Sequence, residues 1–279
     1  MSESVVVIGN FDGVHRGHRK VLAEALGDGT LPLVVITFWP HPMSVLRPEQ
    51  APDLLADLPT RIELLREAGA HEVRVIPFND SVSRLTPEEF VERYVEPLQP
   101  ARVVVGKNFR FGRDASGDVG TLTALGAERG FEVSALSLES VGQDVTCSTA
   151  VRDALASGDV AEAARHLGRA FRFRGVVVMG DQRGRELGFP TANLIVPQEA
   201  AVPADGVYAG WFRVQGGEPM GAAISIGTNP TFDGTQRRVE SYVIDREGLE
   251  LYGSQVKVDF VAQLRGQIKF TGMPDLIDQ

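Results

Sequence analysis

The sequence predicts an α/β chain in two parts: a doubly wound parallel sheet, then a small antiparallel β-barrel. Three observations carry this reading. Strand-like and helix-like runs alternate through the first half. Near residue 170 helical patterns give way to β-rich runs separated by Gly- and Pro-containing turns. A length of 279 residues suits about two domains. The expected domains are 1–169 and 170–279.

The apolar run Val5-Val6-Val7-Ile8 predicts a first strand over 5–9, and helix-forming residues follow over 18–26. Further strands are expected at 33–38, 72–77, 102–106 and 131–136, with helices near 60–68, 87–96 and 119–129. Thr86-Pro87-Glu88-Glu89 is a helix start, with a cap, a proline in the first turn and Glu at the third position. Such alternation implies a parallel sheet with helices on both faces. Ligands of these folds bind beyond the carboxyl ends of the strands. A helical stretch over 149–167 closes the first part, and Asp159 after Gly158 marks a break within it. β-rich runs then span 172–179, 207–214, 221–226, 238–244 and 255–263, as in a small barrel with Greek-key-like connections.

Composition narrows the function class. Hydrophobic residues make up 43% and charged residues 23%, ordinary globular values. No apolar run is long enough to span a bilayer. A first strand near residue 5 leaves no room for a signal peptide. The lone Cys147 excludes an internal disulfide framework, and a reducing cytoplasm is the expected location. A net charge of −9 argues against a general nucleic-acid binder. Anionic ligands therefore need local positive charge, which arginines supply with planar donors.

The most informative segment is Gly9-Asn10-Phe11-Asp12-Gly13-Val14-His15-Arg16-Gly17-His18, where the first strand turns into a helix. Spacing i, i+3 puts His15 and His18 on one side of the helix start. Glycines allow close backbone approach, and free N–H groups at a helix end favour phosphate. Ordinary loop histidines are the alternative.

Other candidates read less sharply on their own. Asn108 follows Lys107 in a loop after a strand and offers donors and acceptors. Phe109 and Phe111 pack the loop or face a ligand, and Arg110 and Arg113 are site residues or solvent-exposed. Ser148, Thr149 and Arg152 open a helix, as caps or as phosphate ligands. His41, between Pro40 and Pro42, lies in a rigid extended segment. Thr191 and Asn193 alternate in a strand and so face one side, where a hydroxyl and an amide oxygen suit Mg²⁺ and its phosphates. Gly180 to Arg185 reads as a phosphate-covering loop or as a plain turn. Glu240 sits in the strand-like run Arg238–Val243, as a solvated edge residue or as a base.

The His turn resembles the signature of the nucleotidylyltransferase superfamily. Thr37–Pro42, Val105–Gly112 and Ser148–Arg152 resemble successive motifs of FMN adenylyltransferases. Gly188-Phe189-Pro190-Thr191-Ala192-Asn193 and Val239-Glu240-Ser241-Tyr242 resemble riboflavin kinases. In this order they resemble the bifunctional bacterial FAD synthetases. That resemblance implies phosphorylation of riboflavin to FMN, then adenylylation of FMN to FAD with release of pyrophosphate. ATP is co-substrate and Mg²⁺ the metal. It makes His15, His18, Asn108 and Glu240 catalytic, with Glu240 the general base. It assigns nucleotide or flavin binding to Gly9, Phe11, Asp12, His41, Phe109, Arg110, Ser148, Thr149, Arg152, Gly188, Thr191 and Asn193. Thr191 and Asn193 also become the metal ligands.

Cys147, Trp39 and Asn229 depart from the family pattern. The family's longer C-terminal helix is represented only by Met273–Gln279, an expected weakness of flavin binding in the kinase half. Two alternatives stay open: an adenylyltransferase with an impaired kinase domain, and a flavin-binding regulatory protein. Membranes and nucleic acids are not expected partners, and a homo-oligomer is one option for assembly.

Overall fold

The computed structural model describes residues 3–137, 147–180, 190–231, 234–246 and 248–267. The chain forms two compact units, Met1–Ser148 and Thr149–Gln279. The predicted fold classes are both present.

In the first unit, β1 (Ser4–Ile8), β2 (Leu33–Trp39), β3 (Glu72–Pro77), β4 (Pro100–Gly106) and β5 (Glu132–Leu136) form one parallel sheet. Its order is β3-β2-β1-β4-β5. β1 is apolar from Val5 to Ile8 because it is buried on both faces. Val6 and Ile8 join one core with Phe90, Val95 and Leu122. Val5 and Val7 join the opposite core with Leu22, Leu64 and Leu65. Apart from Val95, the residues opposite β1 come from α1 (Arg16–Leu26), α3 (Leu58–Glu67), α5 (Pro87–Phe90) and α6 (Val119–Arg129). Short helices α2 (Pro42–Leu46) and α4 (Asp80–Ser83) lie between them in sequence. Strand order reverses between β1 and β4, which opens a crevice at their carboxyl ends.

The capping box at Thr86 forms as expected. The helix expected over 87–96 changes pitch, however. After α5 it continues as a π-turn over Val91–Val95 and a 3₁₀ turn over Glu96–Leu98.

α7 (Ser148–Ala156) crosses the division between units, and α8 (Val160–Leu167) follows. The break falls where expected. Gly158 takes φ +81°, and Asp159 accepts the Glu162 N–H at 2.8 Å to cap α8. The barrel strands are β6 (Phe171–Val178), β7 (Thr191–Ile195), β8 (Gly206–Val214), β9 (Met220–Thr231), β10 (Gly234–Val243) and β11 (Gln255–Gly266). They close in the order β10-β7-β6-β11-β8-β9. Phe171, Phe173, Tyr208, Phe212, Val258 and Phe260 fill its core. β6, β8 and β11 alternate between buried and outward residues over part of their lengths, whereas β7 is buried at three successive positions, Ala192–Leu194.

Candidate active sites

Turn geometry, not helix periodicity, sets the first site. Gly9 lets the Phe11 ring pack close to the backbone, since a Cβ there would stand 3.0 Å from that ring. Phe11 and Val14 take positive φ, 53° and 42°, beside Gly13 at 77°. A left-handed β-branched residue is strained and persists only where its surroundings hold it. His15 then caps α1, its Nδ1 accepting the His18 N–H at 3.3 Å. With Nδ1 accepting, Nε2 is the ring nitrogen left to donate. The His15 and His18 rings stack at 3.6 Å and 17°. Phe11 meets His18 edge-on at 5.1 Å. Burial first, then the His15 and Arg61 charges, hold the His18 pKa well below the ordinary histidine value. Its Nδ1 is shut off from solvent with no hydrogen-bond partner among the described residues.

A buried ion pair underlies this turn. Arg61 Nη2 lies 3.3 Å from Asp12 Oδ1, with the two side chains 0% and 3% exposed. Arg61 Nη1 donates to the carbonyls of Asn10 at 3.1 Å and Phe38 at 3.2 Å. Both Asp12 carboxylate oxygens also accept the Leu55 N–H at 3.1 Å. Trp39 covers the guanidinium, its ring centroid 5.3 Å from Arg61 Cζ. Thr37 Oγ1 donates to the Asn10 carbonyl at 2.9 Å. The Asp12 carboxylate is thus turned inward, while the Asp12 carbonyl accepts from Ser148 Oγ at 3.1 Å. That bond brings Ser148 to the His turn.

The remaining first-site candidates divide by exposure. Asn108 and Arg110 are exposed after β4, and Arg110 lies 3.8 Å from Asp118. Phe111 is buried in the core and stacks on half-buried Phe109 at 5.3 Å. His41 caps α2, its Nδ1 accepting the Met43 N–H at 3.1 Å. Thr149 is exposed and Arg152 half-buried on α7, in the second unit. A separate concavity of about 760 Å³ opens at the other ends of the strands, near Leu26, Arg102 and Phe131. It holds none of the residues singled out by sequence.

On the barrel, β7 and β10 pair antiparallel so that Asn193 faces Glu240 and Thr191 faces Tyr242. Between these pairs Ala192 and Ser241 turn inward. Thr191, Asn193 and Glu240 therefore share one face, with Ser225 opposite Glu240 on β9. Asn193 Nδ2 donates to the Thr191 carbonyl at 3.2 Å and to Thr191 Oγ1 at 3.3 Å. Gly180 closes over Asn193, where a Cβ would fall 2.5 Å from the amide. Among the described residues no cluster of three or more His, Cys, Asp or Glu could hold a metal. A hydroxyl and an amide beside one carboxylate still suit Mg²⁺, which keeps waters and takes most ligands from substrate phosphates.

Gly188, residues 181–185, Phe232 and Met273–Gln279 lie outside the described residues. Among the described residues no helix is long and apolar enough to cross a membrane. Arg61 was not legible as a site residue. Its signal is a charged residue on the buried stripe with Leu64 and Leu65.

Comparison with known proteins gives the class first. The FAD synthetase family model matches residues 1–150 and the riboflavin kinase model residues 167–279. The chain belongs to the FAD synthetase family, with a riboflavin kinase domain in its second part. Its relatives are more particular. It is 35% identical over 276 residues to a bifunctional riboflavin kinase/FMN adenylyltransferase of Escherichia coli (strain K12), covering 98% of this chain and 88% of that protein. The protein of the same description in Bacillus subtilis (strain 168) is 34% identical over 288 residues, covering 100% and 89%. A crystal structure described as a macrolide-efflux protein from Streptococcus pneumoniae superposes with a TM-score of 0.84 at 33% identity, covering 99% and 91%.

Proposed function

We propose that this chain makes FAD in two ATP-dependent steps at two separate sites. The observation that carries the proposal is the pairing of two different constellations on two units. Stacked histidines stand at the switch point of a parallel sheet, and a Thr191–Asn193–Glu240 face stands on a closed barrel.

In the first step the riboflavin 5′-hydroxyl oxygen bonds to the γ-phosphorus of ATP, and the bond to the ADP oxygen breaks. Glu240, the carboxylate on the motif face, takes the hydroxyl proton. Thr191 and Asn193 would hold Mg²⁺ with the phosphates. When bound, the ion neutralises phosphate charge. The Asn193 bond to Thr191 Oγ1 fixes the orientation of both groups.

In the second step a phosphate oxygen of FMN bonds to the α-phosphorus of ATP, and pyrophosphate leaves. The transfer depends on positioning and charge stabilisation, not on a covalent intermediate. His15 Nε2–H and His18 donate hydrogen bonds to the phosphates, and the N–H groups of the α1 start add to them. Asn108, Arg110 and Ser148 complete the nucleotide site within the first unit; Thr149 and Arg152 are nucleotide ligands by the family resemblance alone. Gly9, Phe11, His41 and Phe109 shape the turn and the pocket. Asp12 acts from below, by holding the turn. For function we keep residues 1–169 as the adenylyltransferase part and 170–279 as the kinase part, because Ser148–Arg152 begins α7. Pyrophosphate as product and a cytoplasmic location belong to the same proposal.

The test is turnover of riboflavin with Mg-ATP, separated by chromatography. FMN should appear first and FAD after it. No FMN from riboflavin, with FAD still made from supplied FMN, would leave only the second step.

A further inference from the structure

We infer that Arg61 is a positioning residue for adenylyl transfer, holding the Gly9–His18 turn in its phosphate-facing shape. The inference rests on reading that turn as the adenylyl-transfer site.

Its contacts converge on one segment. Three acceptors are the Asn10 carbonyl, the Phe38 carbonyl and Asp12. Two belong to the turn itself, and the third ends β2 beside it. One guanidinium therefore ties the ends of β1 and β2 together from below. The tie bears on strained backbone. Phe11 and Val14 hold φ of 53° and 42° on either side of Asp12. Such conformations are costly and persist only where their surroundings hold them. Released, the turn would move His15 and His18 together, because they cap and stack on one another.

A purely structural ion pair would place its partners anywhere in the core. It would also be replaceable by apolar groups with little loss. This pair instead has acceptors at Asn10, Asp12 and Phe38, in the site's own loop and strand end. Trp39, a departure from the family pattern, covers the remaining face of the guanidinium. The charge also reaches the site. Arg61 from α3 and His15 from the turn both oppose protonation of His18, while Asp12 balances Arg61.

The experiment uses the full chain with Arg61→Lys and with Arg61→Met paired with Asp12→Leu. Lys keeps charge but cannot reach Asn10, Phe38 and Asp12 at once. Riboflavin phosphorylation serves as the folding control. FAD synthesis from FMN is split into kcat and KM for ATP, and His18 is titrated by NMR on ligand-free protein. The account expects kinase activity intact, adenylyl kcat down by about 10- to 100-fold and the His18 titration displaced in both variants. Parent kcat in a variant with intact kinase activity overturns the inference. If Arg61→Lys loses both activities, the paired variant decides alone, by the same readings. His18→Ala runs alongside. If it leaves adenylylation unchanged, the site reading fails. If it does not, and only the Arg61 variants are silent, the positioning role fails.

Discussion

The His15 and His18 rings stack 3.6 Å apart, nearly parallel at 17°. Two imidazolium ions at that distance repel, so the arrangement favours at least one neutral ring. Burial and Arg61 make His18 that ring. The turn therefore presents oriented N–H donors near neutral pH, with Arg61 beneath as a fixed positive charge.

Replacing either histidine should damage one reaction only. His15→Ala or His18→Ala is expected to cost roughly 2–4 kcal/mol of transition-state stabilisation in FAD formation. FMN formation should stay close to that of the parent. Steady-state assays with FMN and with riboflavin check this. Unchanged adenylylation in the double variant would remove the histidines from the mechanism.

Stability should fall as pH drops through the histidine range. The folded pKa of His18 lies below its unfolded value, which is about 6.5. Above the unfolded value His18 is neutral in both states, and its contribution is fully present. Below it the unfolded chain takes the proton first, and stability declines by up to about 1.4 kcal/mol per pH unit until the folded pKa is reached. The measurement is urea unfolding at about pH 7.5 and about pH 5.5, in Trp211→Phe protein. With two tryptophans in the chain, Trp39 alone then reports. His18→Asn should lose most of this pH sensitivity, and an equal dependence in both proteins would count against the assignment.

Glu240 should matter only to the kinase. Glu240→Gln keeps size and hydrogen bonding but cannot accept the proton. Riboflavin phosphorylation should drop by about 10²–10⁴-fold, with FAD synthesis from supplied FMN unaffected. A full kinase rate in this variant means the base lies elsewhere.

Gly180 should be equally selective. A methyl group there would fall 2.5 Å from the Asn193 amide and push it off its Thr191 bond. Gly180→Ala is expected to raise KM for Mg-ATP in the kinase reaction and leave adenylylation alone. Equal kinase KM in variant and parent would show that the Asn193 orientation is unimportant.

Much of this was legible locally. The runs around Val5, Leu33 and Val103 are apolar on both faces, as a covered parallel strand requires. Thr86 and Asp159 carry helix starts in their own spacing. The Arg61–Asp12 bond was not legible, because it joins residues 49 apart in sequence. A basic residue in a helix normally reads as solvated. Gly180 over Asn193 was hidden likewise, since the strands supply that contact. The π-turn after Phe90 has no signal in the apolar spacing, which a tight and a wide turn satisfy alike.

Two chemically independent sites acting in sequence should complement one another between separate molecules. This is tested most directly by mixing two full-length variants, His15→Ala/His18→Ala and Glu240→Gln, with riboflavin and Mg-ATP, and following flavins by chromatography. Alone, the first variant should accumulate FMN and the second should leave riboflavin largely unconverted. Mixed, they should produce FAD, one supplying FMN and the other adenylylating it. Loss of both activities in either single protein, with the fold intact, would contradict two independent sites.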